Sequence, residues 1–273
     1  MYKEYYNFSE APFNVTSDPE FFFSSSRHSE AFSHLLYGIQ QRKGILVITG
    51  EIGTGKTTLC RTLINRLEDN VKTALLLNPY FSENQLLQLI IKDLGIVGDF
   101  KNKLALNEAL NAFLIEQNSV GNNVVLIVDE AQDLKVSQLE QLRLLSNLET
   151  EKTKLLQIVL VGQPELIEKL RLSSLRQLTQ RITVRYHILP LERPEVNDYI
   201  HHRLKIAAHT DNGTLPVRFT PEAIDAVYLN SKGTPRLINI LCDRALLFGY
   251  VAETDTITDE IIYKCAREVG NYS

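Results

Sequence analysis

The sequence predicts an α/β protein: a three-layer fold around a parallel sheet, followed by a small all-helical domain. Three observations carry this. Five short runs rich in apolar and β-branched residues occupy positions 45–49, 73–78, 124–129, 156–162 and 182–189. Helical patterns fill the gaps between them, and such strand–helix alternation means parallel strands joined by crossover helices. After Pro190 the alternation stops, and four helical patterns follow with no strand between them.

The first four strand runs are nearly continuous apolar stretches, as expected of strands covered on both faces. The fifth alternates, with Ile182, Val184, Tyr186 and Ile188 set against Thr183, Arg185 and His187. One wetter face suits a strand at a sheet edge. Residues 56–67 follow the first strand as a helix. Ser82-Glu83-Asn84-Gln85 is a capping box, in which Ser82 and Gln85 each satisfy an orphan amide. It opens the run LLQLIIKDL, which stops at Gly95. Residues 107–117 and 137–148 repeat apolar side chains at helical spacing. Beyond the boundary the helices read as 194–209, 220–230, 235–249 and 258–269. Thr220-Pro221-Glu222 supplies an N-cap, a first-turn proline and a first-turn acid, and Thr258-Asp259-Glu260 does the same for the last helix. The expected domains are residues 1–190, with residues 1–43 as an N-terminal segment and helix, and residues 191–273.

Bulk properties narrow the function classes. A net charge of −4 argues against coating nucleic acid through bulk charge, without excluding a local basic patch. The cysteines Cys60, Cys242 and Cys265 are far apart and lack C-x-x-C spacing, so they read as buried, reduced thiols. The longest apolar runs, residues 45–48 and 124–128, are far short of a membrane span, and MYKEYYNF has no signal-peptide pattern. The chain as given reads as soluble.

Residues Gly50-Glu51-Ile52-Gly53-Thr54-Gly55-Lys56-Thr57 fit G-x-x-x-x-G-K-[ST], with Thr58 next. The motif leaves a buried strand and enters a helix, the placement a phosphate-binding loop needs. Its glycines let backbone amides turn toward the anion, and the helix N-terminus adds its dipole. Lys56 would neutralise the β and γ oxygens of ATP, and Thr57 would offer a hydroxyl to Mg²⁺. The run VVLIVDE ends on Asp129 and Glu130. Two carboxylates closing an apolar strand are costly unless they have work or partners. Asp129 suits magnesium through its water shell, and Glu130 suits polarising the attacking water. That pairing favours hydrolysis over phosphoryl transfer to a metabolite.

Three further features join them. Gln163, after the fourth strand, is a candidate γ-phosphate sensor or, equally, a turn residue. Residues 169–185 hold Lys169, Arg171, Arg176, Arg181 and Arg185 with no acid between them. This run reads as a solvated basic face, as a trans arginine finger at Arg181, or as a contact to nucleic-acid phosphates. In Gly233-Thr234-Pro235-Arg236, the proline at the first helical position leaves Arg236 rigidly mounted in the first turn, a candidate lid sensor of the γ-phosphate. The six histidines, His201 and His202 among them, lack metal-ligand spacing and read as surface or packing residues.

The order of these motifs resembles that of AAA+ ATPases, and more narrowly of general-secretion-pathway ATPases of the ExeA/GspA type. The carrying stretches are FNVTSDPEFFF, HSEAFSHLLYGI, GEIGTGKTTLC, VDEAQDL, VGQPEL, LRQLTQRITVRYHI and GTPRLINILCDRAL, which span essentially the whole chain. The resemblance implies a sheet of strand order 5-1-4-3-2, a helical lid over residues 191–273, ATP and Mg²⁺ as cofactors, and ring-like homo-oligomers. It also implies that the segment around residues 13–23 covers the adenine. The implied role is assembly or remodelling of an envelope secretion or pilus machine, in the cytoplasm or at the periphery of the inner membrane. A DNA-binding regulator of the transposition type is the alternative. Proteins of the secretion type usually continue into a membrane span and a peptidoglycan-binding domain. This sequence stops at Ser273, which leaves open a fragment or a shorter stand-alone branch.

Overall fold

Five parallel strands form the sheet: β1 (Ile45–Gly50), β2 (Val71–Leu76), β3 (Asn123–Val128), β4 (Gln157–Gly162) and β5 (Ile182–Ile188). Their spatial order is β2-β3-β4-β1-β5, the expected order read from the other edge. The computed structural model describes residues 1–77, 81–208 and 215–270. Two compact units emerge, one of Ser29–Ile52 with Leu59–Ile188, the other of Met1–His28, Gly53–Thr58 and Leu189–Ser273.

In the sheet unit, β1, β3 and β4 are buried at every position. Ile45, Val47, Leu126, Val128, Ile158 and Leu160 share one core with helices Glu83–Asp93, Lys103–Ser119 and Val136–Leu145. The alternate residues Leu46, Ile48, Val125, Ile127, Val159 and Val161 are equally buried and face the opposite side. There a Cβ on Gly38 of helix Ser26–Gln40 would lie 2.1 Å from Leu46 Cδ2, so the helix backbone packs directly on the sheet. Ser82 caps Glu83–Asp93 as expected: its N–H donates to Gln85 Oε1 at 2.8 Å, and Gln85 N–H donates back to Ser82 Oγ at 3.4 Å. The alternation in β5 matches its edge position, with Tyr186 Oη donating to Glu30 Oε2 at 2.8 Å. β2 departs from expectation. It is the other edge strand and is only partly buried, because no strand covers its outer side. The expected end of that strand at Asn78 lies outside the described residues.

The second unit is built on helices Arg193–Ala208, Pro221–Ser231, Pro235–Val251 and Asp259–Gly270. Thr220 caps the second of them, accepting from Ala223 N–H at 3.1 Å, with Pro221 in the first turn. This region is not wholly helical: β6 (Arg218–Phe219) and β7 (Thr256–Ile257) pair in parallel. Two-residue strands are below the length at which periodicity registers. Residues 1–28 also pack in this unit, which differs from the sequence-based grouping of residues 1–190. Tyr6, Phe8, Phe13 and Phe21 join the same core as Ile200, Leu241 and Leu246. The buried Arg203 holds the segment down: its guanidinium donates to Pro12 O at 2.5 Å, Asn14 O at 2.9 Å and Tyr199 Oη at 3.2 Å, and lies 4.6 Å from the Phe21 ring. Pro12 and Asn14 lie 191 and 189 residues from Arg203, so no local pattern could signal them. All three cysteines are buried, and none of them is in a disulfide.

Candidate nucleotide site

Parallel strands bring their carboxyl ends to one edge of a sheet, where open α/β folds place ligands. In the sheet unit, Thr49 of β1 pairs with Gly162 of β4, and Leu160 of β4 pairs with Val128 of β3. Gly50, Gln163 and Asp129 therefore leave the sheet side by side. Asp129 is 2% exposed; its N–H donates to Leu76 O at 2.9 Å, and its Oδ1 accepts from Glu130 N–H at 2.9 Å. Glu130 adopts φ 51° and ψ 39°, a left-handed conformation that is unfavourable by about 1–2 kcal/mol for a side-chain-bearing residue. Such strain persists where the surroundings over-determine it. Here they do: Glu130 Oε2 accepts from Gln132 Nε2 at 2.8 Å and from Gln163 Nε2 at 3.2 Å, and Gln163 N–H donates to Gln132 Oε1 at 3.0 Å. The structure thus brings Glu130 and Gln163 together and adds Gln132, which the sequence reading did not single out. Its only signal was proximity to the two acids in VDEAQDL.

The basic run separates into parts. Lys169 is not on a solvated face; its ammonium donates to Gln132 O and, at 2.8 Å, to Leu134 O, which closes the turn after Glu130. Arg171, Arg176 and Arg185 are exposed. Arg181 is half-buried before β5. Its charge joins the Lys154 hydrogen bond and charge in holding the Glu149 carboxyl below the usual range.

In the other unit lies the loop, Gly53–Thr58. Helix Lys56–Arg66 begins on the lysine, so Lys56, Thr57 and Thr58 form its first turn, where amides have no intrahelical acceptor. Thr54 and Lys56 are buried, while Glu51 and Ile52 are exposed. Gly53 and Gly55 hold φ of 80° and 89°, open to glycine and strained for other residues. A Cβ on Gly53 would also lie 2.6 Å from Arg236 Cβ. Pro235 starts helix Pro235–Val251, and the next amide, Arg236 N–H, donates to Gly53 O at 3.2 Å. Arg236 is thus placed against the loop through its backbone, with its side chain exposed. A histidine read from the sequence as a surface or packing residue also reaches the loop: His28 Nε2 is 2.8 Å from Thr54 O. Because a carbonyl only accepts, this nitrogen carries the proton. Nothing local in the sequence links position 28 to position 54.

The residues fit a phosphate group. The carbonyls of Gly53 and Thr54 are engaged by protein donors rather than left to face an anion, and the positive φ of Gly53 and Gly55 suits a loop whose amides turn toward one. Thr57 in the helical unit and Asp129 in the sheet unit each carry an oxygen of the kind that suits magnesium. Among the described residues no three His, Cys, Asp or Glu side chains gather into a metal cage. A magnesium held mainly by phosphate oxygens and water requires none.

Known proteins resemble this chain in sequence and in fold. A family model for an AAA domain matches residues 39–170. General secretion pathway protein A of Aeromonas hydrophila is 43% identical over 271 residues, covering 99% of this chain and 49% of that protein. The chain therefore spans about half the length of that relative. Solved structures of similar fold include the Aeropyrum pernix ORC2 protein in ADPNP–ADP complexes, with TM-score 0.68, 17% identity, and 96% of this chain and 72% of that chain covered. Cdc6p from Pyrobaculum aerophilum has TM-score 0.66, 16% identity, and 98% and 71% covered. The Thermotoga maritima RuvB branch migration motor has TM-score 0.55, 19% identity, and 88% and 67% covered. At these identities the solved structures speak for the fold alone. Sheet order, motif order and the extended identity together place the chain in the AAA+ ATPase family, as a relative of general secretion pathway protein A.

Proposed function

We propose that this chain binds ATP with Mg²⁺, hydrolyses it, and uses the cycle to assemble or remodel an envelope secretion or pilus machine. The observation that carries the reading is the 43% identity to general secretion pathway protein A across 99% of the chain. Magnesium and the nucleotide would supply a polarised terminal phosphate when bound. The chain supplies the rest. Loop amides and Lys56 hold the phosphates, and Thr57 and Asp129 hold the metal. Glu130 takes a proton from water, and Gln132 and Gln163 orient its carboxylate. Arg236 reads the nucleotide from the helical unit, and Arg181 acts on a neighbouring subunit's nucleotide in a ring-like homo-oligomer. The segment around residues 13–23 lies over the base. Among the described residues no helix is long and apolar enough to cross a membrane.

DNA binding is the second reading, favoured by the exposed Arg171, Arg176 and Arg185. One experiment separates the two. ATPase rate and oligomer size are measured with and without duplex DNA, at low and moderate salt, for the wild type and Arg181→Ala. The secretion reading expects turnover that rises with protein concentration, falls at least tenfold in Arg181→Ala, and ignores DNA. Strong, salt-sensitive stimulation by DNA would replace it with the second reading, because phosphate contacts weaken steeply with salt. A dilute monomer as active as the assembly would remove the trans role of Arg181.

A further inference from the structure

Binding phosphate through backbone amides requires more than a flexible loop, because each peptide unit can present either its N–H or its carbonyl oxygen to the anion. Glycine at Gly53 and Gly55 makes rotation of the intervening peptides easy, since both φ signs are open to it. A carbonyl turned toward a phosphate would repel it. The loop therefore needs something that decides which way these peptides face.

Two donors in the helical unit meet that need at consecutive positions. Arg236 N–H holds Gly53 O at 3.2 Å, and His28 Nε2–H holds Thr54 O at 2.8 Å. In a planar trans peptide the carbonyl of one residue and the N–H of the next point in opposite directions. Holding Gly53 O therefore aims Thr54 N–H away from Arg236, and holding Thr54 O aims Gly55 N–H away from His28.

The His28 ring is itself fixed. It is 4% exposed, and the Phe22 ring packs edge-on against it at 5.6 Å. Burial holds its pKa below the ordinary histidine value, so the ring is neutral and only one nitrogen carries a proton. That proton must lie on Nε2 to reach Thr54 O, and the other nitrogen must accept. Ser25 Oγ lies 2.7 Å from Nδ1 and donates to it, while accepting from His28 N–H at 3.3 Å. The Thr54 carbonyl, which can only accept, fixes the tautomer, and the Ser25 hydroxyl complements it at Nδ1. A Cβ on Gly55 would stand 3.2 Å from Nε2, so the ring also limits what can occupy that position.

We propose that His28, its ring held by Ser25, is a positioning residue for the phosphate loop: it holds the Thr54 carbonyl outward so that the Thr54–Gly55 peptide offers its N–H to the nucleotide. This rests on the nucleotide reading above. The test uses the full chain and two readouts, ADP affinity by calorimetry and backbone hydrogen exchange across residues 53–58 in nucleotide-free protein. His28→Leu removes the donor; His28→Gln keeps an amide N–H at similar reach. The expected result is ADP affinity about tenfold weaker in His28→Leu, the size of one net hydrogen bond, with faster exchange in the loop. His28→Gln returns affinity to within about threefold and restores protection, which a purely packing role for the ring would not do.

A folded His28→Leu protein that binds ADP as the wild type does, or a His28→Gln protein as impaired as His28→Leu, overturns the proposal. Should His28→Leu fail to fold, Ser25→Ala decides the matter: it leaves the ring in place and removes the hydroxyl that hydrogen-bonds both Nδ1 and the His28 N–H. An affinity loss of about threefold supports the proposal, and an unchanged affinity overturns it. A wild-type chain that binds no ADP would remove the nucleotide reading and the proposal together, whereas wild-type binding with unaffected variants removes the proposal alone.

Discussion

The two units hold their polar machinery in different ways. In the sheet unit, Glu130 is held by side chains, the amides of Gln132 and Gln163. In the helical unit, the loop is held by its own backbone carbonyls, through Arg236 N–H and His28 Nε2–H. A rotamer change moves Glu130 at about 1 kcal/mol per hydrogen bond, while turning a loop carbonyl away from its donor also reorients the N–H of the same peptide. The difference assigns adjustable chemistry to the carboxylate and fixed geometry to the phosphate cradle.

Lys56→Ala gives the sharpest test of the fixed half. It is expected to weaken ADP and ATP binding at least about 100-fold in a fluorescent-nucleotide titration, because a buried charge-assisted contact is lost. Retained tight binding would mean that the loop does not hold phosphate. Glu130→Gln tests the adjustable half. If Glu130 is the general base, turnover should fall about 10²–10⁴-fold while ADP affinity stays within threefold, since the loop is untouched. Equal losses in binding and turnover would erase the distinction between the halves.

Gln132→Ala is the smaller version of the same test. Losing the amide that donates to Glu130 should lower turnover by about tenfold with unchanged ADP affinity, as expected for one hydrogen bond orienting a catalytic group. Unchanged turnover in steady-state assays would make Gln132 a packing residue.

The smallest effect expected is on pH-dependent stability. Burial lowers the pKa of His28, and burial with the Arg203 charge lowers that of His202. Both are neutral when folded, and the unfolded chain takes up protons first as pH falls through about 6.5. Stability is therefore fullest above that pH and declines below it. The melting temperature should drop between pH 7.5 and 5.5, and His28→Gln should make the slope shallower. Equal slopes would show that His28 does not contribute.

The sheet was legible because its order of events is local. The buried strands 45–49, 124–129 and 156–162 announce themselves by apolar content, and Ser82 with Gln85 announces a helix start four residues long. β2 was misread as covered on both faces because its apolar content resembles that of the central strands, and only the sheet order puts it at an edge. Within the candidate site, Lys56, Asp129, Glu130 and Gln163 could be named from motifs. Gln132 and His28 could not, because their roles depend on what lies opposite them.

By itself, then, the sequence determined the strand–helix alternation, the loop that turns between β1 and its helix, and the acids that close β3. Each of these is written in spacing, capping and glycine content, which act within a few residues along the chain. The tertiary structure alone decided that residues 1–28 join the core of the helical unit, that Lys169 closes the turn behind Glu130 rather than lying on a solvated face, and that an imidazole and a helix-start amide hold consecutive loop carbonyls. Those decisions join groups from 26 to 248 residues apart, and they follow from which buried groups find hydrogen-bond partners, a condition that exists only once the chain has folded.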